Sequence, residues 1–342
     1  MSERPAALDH VPEGWAGLLA SDPSASPSHR PEVWSALAAV VPGFEWRLLV
    51  SRDGGRLVAG APVVLSRRGP FRWLHALPWL LPAPPLAAPG GHAAGDDALA
   101  GAFAELAREQ AVVGGQWSFY RPDGPAPSDA ALARVPGETR WFEAALLRLS
   151  DGLPALHMRM SRKQRQALEQ AREHGLVFAD EPQALDEAHA LHLSQSRTWA
   201  AHRPLPLELS RELLAVGGAE PVARLFTLRS PRGLWSATLA LDSPAETFVW
   251  WSGTHAEGRR THAFARLMWS VAEWAAARGR RRLNLGSSTG LPRVAGFKDA
   301  LGAESFRYPI RWLDARAAGW PGRALGALQR VVQRGRPQGA SQ

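Results

Sequence analysis

The chain has 342 residues, 45% of them hydrophobic and 21% charged, which is the composition of a folded globular protein and excludes a disordered one. It contains no cysteine, so disulfides, thiol nucleophiles and cysteine-held metals are excluded together. The formal charge is +8 and the pI about 11.0, which points to an anionic partner, although the basic residues are dispersed apart from clusters at 159–165, 278–282 and 323–336.

No window approaches the ~18 apolar residues of a membrane span, and the first residues lack the apolar core of a signal peptide. The expectation is a cytoplasmic protein with no membrane span.

In chain order, residues 46–50 and 56–65 read as strands flanking the turn signal Arg52-Asp-Gly-Gly55. Residues 96–113 have helical periodicity, with Leu99, Phe103, Leu106 and Ala107 on one side. Strands follow at 116–120 and 143–149. Residues 154–174 read as one helix ended by Gly175, and 182–199 as a second helix. Strands at 221–229, 234–241 and 246–251 are separated by the turns Ser230-Pro-Arg-Gly233 and Asp242-Ser-Pro-Ala245. A long helix is expected over 261–278, then a strand at 281–285, a short helix at 291–301 and a last strand at 305–313. Residues 321–334 have the spacing of a basic amphipathic helix, and 335–342 read as a tail.

Meander, helix, strand and further strand thus occur twice, which suggests a duplicated α/β unit. The expected fold is mixed α/β with two tandem domains, 1–150 and 151–320, followed by the helix and tail at 321–342.

Several chemistries leave no trace. There is no Walker A loop, no dinucleotide-binding glycine fingerprint and no Gly-x-Ser-x-Gly elbow. His189-x-x-His192 is one helical turn apart without a third ligand at metal spacing, so it reads as a solvated helix face and no metal is assigned. Of the 40 basic residues only Lys163 and Lys298 are lysines, and both fall in motif-like segments. A lysine kept in an arginine-rich chain suggests a need for a compact, pKa-adjustable point charge.

Those segments carry a resemblance. The order of elements over 221–313 is that of the GNAT acyltransferases. Gly279-Arg-Arg-Arg-Leu-Asn-Leu-Gly-Ser-Ser288 followed by Gly296-Phe-Lys-Asp-Ala-Leu-Gly302 resembles the Fem-like branch, in which a strand ending in Asp/Asn-x-Gly precedes a Phe/Tyr-Lys-x-x-x-Gly helix. Met160-Ser-Arg-Lys-Gln-Arg165 and Arg172-Glu-His-Gly175 resemble the basic helix that opens that branch's second domain. The resemblance covers 155–313, and the first half by architecture alone.

What the resemblance implies is N-acyl transfer. The acyl or aminoacyl group comes from acyl-CoA or aminoacyl-tRNA, as co-substrate without a tightly bound cofactor, and goes to the amine of a small molecule or peptide. Lys298 takes the role of the charge beside the transfer centre, where a tetrahedral oxyanion needs fixed donors, with Phe297 as its motif partner. Arg162, Lys163, Arg165 and Arg172 are the implied contacts to an anionic donor or acceptor. Trp251 and Ser252, at the end of the third strand, lie where GNAT strands splay. Alternation puts Trp250 and Trp251 on opposite faces, one of them core. Arg260 and Thr261 stand at the start of the long helix, where backbone N–H groups could hold a pyrophosphate, but Gly258-Arg-Arg-Thr-His262 does not reproduce the usual GNAT phosphate loop; Thr261 also suits an N-cap. Asn284, Gly286 and Ser287 form the Asn-x-Gly strand end. Asp299, Glu257 and Glu304 are candidate bases. The alternative is a non-catalytic GNAT-like module that binds nucleic acid or a protein partner.

Overall fold

The computed structural model describes residues 3–76, 81–197, 204–218, 220–288 and 291–314; the helix and tail expected at 321–342 lie outside them. The described chain forms two units, one running to Phe142 and resuming at Arg307, the other Glu143–Phe306.

The first unit contains β1 (Ala6–Leu8), α1 (Trp15–Ser21), α2 (Pro31–Val40), β2 (Phe44–Asp53), β3 (Arg56–Arg68), β4 (Phe71–His75), β5 (Leu86–Ala87), α3 (His92–Glu109), β6 (Val112–Ser118), α4 (Asp129–Arg134) and the start of β7 (Gly137–Arg148). β2 and β3 form the expected hairpin, with Asp53 opposite Arg56. β4 and β6 are parallel, joined through α3. Leu99, Phe103, Leu106 and Ala107 of α3 pack on Leu49, Val63, Leu74, Trp117 and Phe119, so the helical periodicity marks the buried face. α1, α2, β4 and α4 had no counterpart in the sequence reading. Pro31 at the first turn and Glu32 beside it are a usable start signal for α2.

The second unit takes β7 from Glu143, then α5 (Leu153–Arg159), α6 (Arg162–Arg172), β8 (Val177–Asp180), α7 (Leu185–Ser196), α8 (Leu207–Ala215), β9 (Ala223–Ser230), β10 (Gly233–Asp242), β11 (Glu246–Thr254), α9 (Ala256–Arg260), α10 (Ala263–Ala277), β12 (Arg282–Asn284), α11 (Pro292–Ala300) and the start of β13 (Glu304–Asp314). Its strands run in the order β7-β12-β11-β10-β9-β8, antiparallel except for β11 and β12. One face carries α10 with α5 and α6, where Leu267, Met268, Val271 and Ala275 pack on Phe226, Ala240 and Leu283. The other carries α7 and α8.

The single helix expected over 154–174 is two. Met160 turns extended (ψ 144°), and the Ser161 hydroxyl accepts from the Gln164 amide to start α6 afresh. A serine side chain satisfies an orphan N–H of a new helix better than it serves a helix interior. The helix expected over 182–199 is α7, ending at Ser196, preceded by a short 3-10 turn. α8 was missed, although Leu209 and Leu213 have helical spacing and are both fully buried. The long helix begins at Ala263, not Thr261. Among the described residues, no helix is long and apolar enough to cross a membrane.

Candidate active site

The site is built on a parting of two strands in the second unit. β11 and β12 pair only over Glu246–Phe248 and Arg282–Asn284. Beyond Phe248, β11 continues to Thr254 beside β10, and β12 ends. The β10–β11 register slips at this point, from Ala240 opposite Val249 to Leu239 opposite Trp251, which leaves Trp250 as the extra residue of a β-bulge. The bulge also keeps Trp251 on the same face as Phe248. Trp251 is buried against α7 and α8, its indole donating to Ser210 Oγ at 3.2 Å, and Ser252 alternates to the α10 face. Trp251 is therefore the core member of the pair, through the bulge and not through simple alternation.

The parted edge of β11 is met from α7 and α9. His192 Nδ1 donates to the Ser252 carbonyl at 2.8 Å, Gln195 Oε1 accepts from the Thr254 amide at 2.9 Å, and Arg259 Nη1 donates to the Thr254 carbonyl at 2.7 Å. The N–H and C=O of one residue in an antiparallel strand point the same way, so the Ser252 amide faces this edge too. α7 sits directly on β11 because residue 253 is glycine: a Cβ there would lie 2.5 Å from the His192 amide nitrogen. His189 and His192 are buried, so they are not the solvated helix face that their spacing suggested.

The opposite wall is the loop after β12. At its root Arg282 and Glu246, both 0% exposed, form an ion pair at 2.5 Å across the parallel strands. Asn284, also buried, donates to Glu246 Oε1 at 3.2 Å and accepts from the Gly286 amide at 2.8 Å, which folds the chain back after the strand. Lys298, on α11 and 8% exposed, donates to the carbonyls of Gly286 at 3.0 Å and Ser287 at 2.9 Å. Burial lowers its pKa to about 8, and the Glu143 carboxylate opposes the shift. An ammonium has three N–H groups, so one remains beyond the two carbonyls. The Ser288 hydroxyl is buried with no partner among the described residues. Phe297 stacks on Phe264 at 5.3 Å and ties α11 to the start of α10.

At that start, His262 is left-handed (φ 56°, ψ 27°) and follows Thr261 at φ −101°, ψ 13°. Such a right-then-left pair turns successive N–H groups inward, and a fifteen-residue helix adds its positive end. Thr261 is not the N-cap; its hydroxyl donates to the Glu257 carbonyl at 3.0 Å. α9 fills the place of an open phosphate loop and is pressed against β10, since a Cβ on Gly258 would lie 2.5 Å from the Trp235 carbonyl. Arg260 pairs with Glu257 at 2.7 Å on the surface.

The basic helix contributes less than the motif implies. Arg165 donates to the carbonyls of His157, Met158 and Met160 and so caps the end of α5. Arg172 pairs with Glu169 at 2.9 Å. Arg162 and Lys163 are exposed on α6. The structure brings together Asn284, Gly286, Ser287 and Lys298, sets Trp251 and Ser252 against α7 and α8, ties Phe297 to α10, and turns Arg165 and Arg172 to local structural contacts. Of the candidate bases, Glu257 pairs with Arg260, Glu304 with Arg148 at 3.3 Å, and Asp299 is exposed. Sequence reasoning missed His192, Gln195 and Arg259, whose roles depend on where α7 and α9 dock.

Among the described residues, the first unit shows no such opening. β4 stays paired with β6 to His75, and the Ala76 amide extends the ladder to Gln116. The segment 81–87 is buried, with the carbonyls of Pro82, Pro84 and Pro85 taken by Ser26, His29 and Arg121.

Residues 155–299 match the family described as Acetyltransferase (GNAT) domain. The fold is GNAT, in its Fem-like form. The crystal structure of FemX superposes with a TM-score of 0.70 at 9% identity, covering 89% of this chain and 96% of that one. The C-terminal domain of a proposed lysylphosphatidylglycerol synthetase from Agrobacterium fabrum gives 0.55 at 15% identity, covering 90% and 92%. A conserved protein of unknown function from Bacteroides thetaiotaomicron gives 0.54 at 12% identity, covering 89% and 99%. No curated protein matches the chain. The two units, each a mixed sheet with a helix joining its parallel pair, are the tandem α/β arrangement expected from the repeated element order.

Proposed function

We propose that the second unit is an N-acyltransferase that moves an acyl or aminoacyl group from acyl-CoA or aminoacyl-tRNA to the amine of a small molecule or peptide. The observation that carries this reading is the parting of β11 from β12 beside the Trp250 bulge. In this reading the parting is the acyl slot, with the Ser252 N–H on one side and the Lys298 ammonium, held by the loop after β12, on the other.

Aminolysis of a thioester or ester builds negative charge on the carbonyl oxygen, and fixed donors in a dry slot stabilise that charge. The Ser252 amide is one such donor. The third N–H of Lys298 is a second, its direction set by the two loop carbonyls. The inward N–H groups at His262 and Ala263 suit the phosphate that both donor classes carry. The β11 edge is already engaged by His192, Gln195 and Arg259, so an extended donor arm meets few open strand groups there. That observation favours aminoacyl-tRNA as the second donor class to test beside acyl-CoA.

The deciding experiment is a thermal-shift comparison of the full chain with acetyl-CoA and with a charged tRNA pool, followed by single-turnover transfer to amines from whichever binds. A donor well above its Kd raises the melting point, by about 2.7 kcal/mol of stabilisation at a hundredfold excess. A shift with neither returns the chain to the non-catalytic alternative. If tRNA binds, Arg162→Ala with Lys163→Ala should weaken it and reduce the salt slope by about 2.

A further inference from the structure

The acyl-transfer reading leaves open which acyl group the slot takes, and the inference below rests on that reading. The informative element is α11. Of its nine residues Lys298 is the buried one, so the Lys298 face of the helix is the inward one. A residue four positions earlier shares that face, and one seven positions earlier lies close to it. Those residues are Val294 and the N-cap Leu291, both apolar. On an inward face they should be covered, yet Val294 is 37% and Leu291 51% exposed. The inward face of α11 is therefore closed at its last turn and uncovered at its first. Six large apolar side chains are exposed among the described residues, and two of them stand on this single turn, so the exposure is concentrated here and not scattered.

Three contacts place that uncovered turn at the parting of the strands. Phe248, the last residue of β11 paired with β12, reaches the loop after β12: a Cβ on Gly286 would lie 3.7 Å from its ring. Lys298 donates to the Gly286 and Ser287 carbonyls of that loop. The Leu291 amide donates to the Ser288 carbonyl at 2.9 Å. The loop is thus bonded by Lys298 near one end of α11 and by Leu291 at the other, and Val294 stands between them on the same face. Phe297 is already committed to its stack on Phe264.

In the acyl-transfer reading the third N–H of Lys298 holds the acyl carbonyl oxygen, and three groups lead away from the acyl carbon. The carrier is drawn to the start of α10, which meets α11 through Phe264 and Phe297, on a flank about 100° round the helix from Lys298. The attacking nitrogen is polar and gains nothing from an aliphatic wall. The acyl substituent remains. Val294 lies about 6 Å from Lys298 along the helix axis, beyond an acetyl methyl and within reach of a longer chain or a leucine side chain. We propose that Leu291 and Val294 form the acyl-group wall of the slot and select an apolar acyl or aminoacyl substituent larger than acetyl. Both side chains lose exposed area when such a donor binds, so the apolar length of the substituent sets the preference.

The test uses the full chain and two donor series, acetyl-CoA against hexanoyl-CoA, and one tRNA body acylated with glycine against the same tRNA acylated with leucine. Dissociation constants are read by equilibrium dialysis. Whichever series binds names the carrier, and within it the larger substituent should bind at least ~10-fold tighter, the effect of burying about two methylene groups. In the double variant Leu291→Ser with Val294→Ser that ratio should fall to within about threefold of one at an unchanged melting temperature, since both side chains are exposed. Leu291→Met with Val294→Leu should keep it. A wild-type ratio near one overturns the proposal, as does a ratio that survives the double serine variant, which would put the substituent elsewhere. Equal donor affinities with single-turnover transfer that prefers hexylamine to ethylamine, and loses that preference in the serine variant, give the wall to the acceptor and also overturn it. A wild type that binds no donor of either series sinks the acyl-transfer reading and the wall with it, an outcome distinct from a chain that binds small and large donors alike.

Discussion

Lys298 shows how one side chain can be both wall and charge. Its ammonium is buried against two carbonyls with a folded pKa of about 8, against the ordinary 10.5. Below pH 8 folded and unfolded chains both carry the proton, and the cost of burying the charge is fully present. Between pH 8 and 10.5 the unfolded chain binds more protons, so stability rises with pH; above 10.5 the cost is gone. The stability of wild type minus that of Lys298→Met should therefore climb by about 3 kcal/mol across this window, read from urea midpoints at matched pH. A flat difference would mean that the ammonium is solvated. Lys298→Arg addresses the chemistry. A planar fork cannot place one N–H on each carbonyl and a third into the slot from the same point, so single-turnover transfer should fall ~100-fold or more. Wild-type turnover by this variant would reduce Lys298 to a mere charge.

At the scale of elements, the site depends on how closely α7 approaches β11. The approach is set by Gly253, so Gly253→Ala should force the helix off the strand and cost about 1–3 kcal/mol, as overpacking does. It should also break the His192 and Gln195 bonds together. The measurement is a urea midpoint with hydrogen exchange at the Thr254 amide, which should lose protection in the variant. Unchanged exchange would show that α7 adapts without leaving the edge. Arg165 belongs to this scale as well. It caps α5 with its guanidinium over the last carbonyls, so Arg165→Ala should cost about 0.3–1 kcal/mol of stability and leave donor affinity unchanged. A loss of affinity without a loss of stability would restore it to the binding site.

At the scale of the whole molecule, chain order and spatial units do not coincide. Residues 146–148 of β7 pair with β12, and Leu147 lies opposite Leu283 in the core under α10. A fragment beginning at residue 151 would leave that edge of β12 bare, exactly where its apolar neighbours need cover, whereas one beginning at 137 would keep it. The shorter fragment should bind a hydrophobic dye and lack a cooperative melt, and the longer one should melt more sharply. Equal melts would mean that β7 is dispensable to the second unit.

The pattern of apolar residues determined most of the elements by itself, because helical and strand periodicities are local properties. The turns at 52–55, 230–233 and 242–245, the faces of α3 and α10, and the meander before the long helix all follow from it. The Asn-x-Gly and Phe-Lys segments were legible for the same reason: residues close in sequence carry the motif, and Asn284, Gly286 and Lys298 do meet. Local pattern could not show that Trp250 bulges, since a bulge is a mismatch with another strand. It could not show that Ser161 cuts a helix in two or that Arg165 serves α5, because a side chain's partner is chosen by where neighbouring backbone carbonyls fall. It gave His189 and His192 the spacing of a surface turn, whereas docking of α7 on Gly253 buried both and handed one of them to Ser252. Those choices belong to the tertiary structure, because the groups that compete for each hydrogen bond are brought together only by packing.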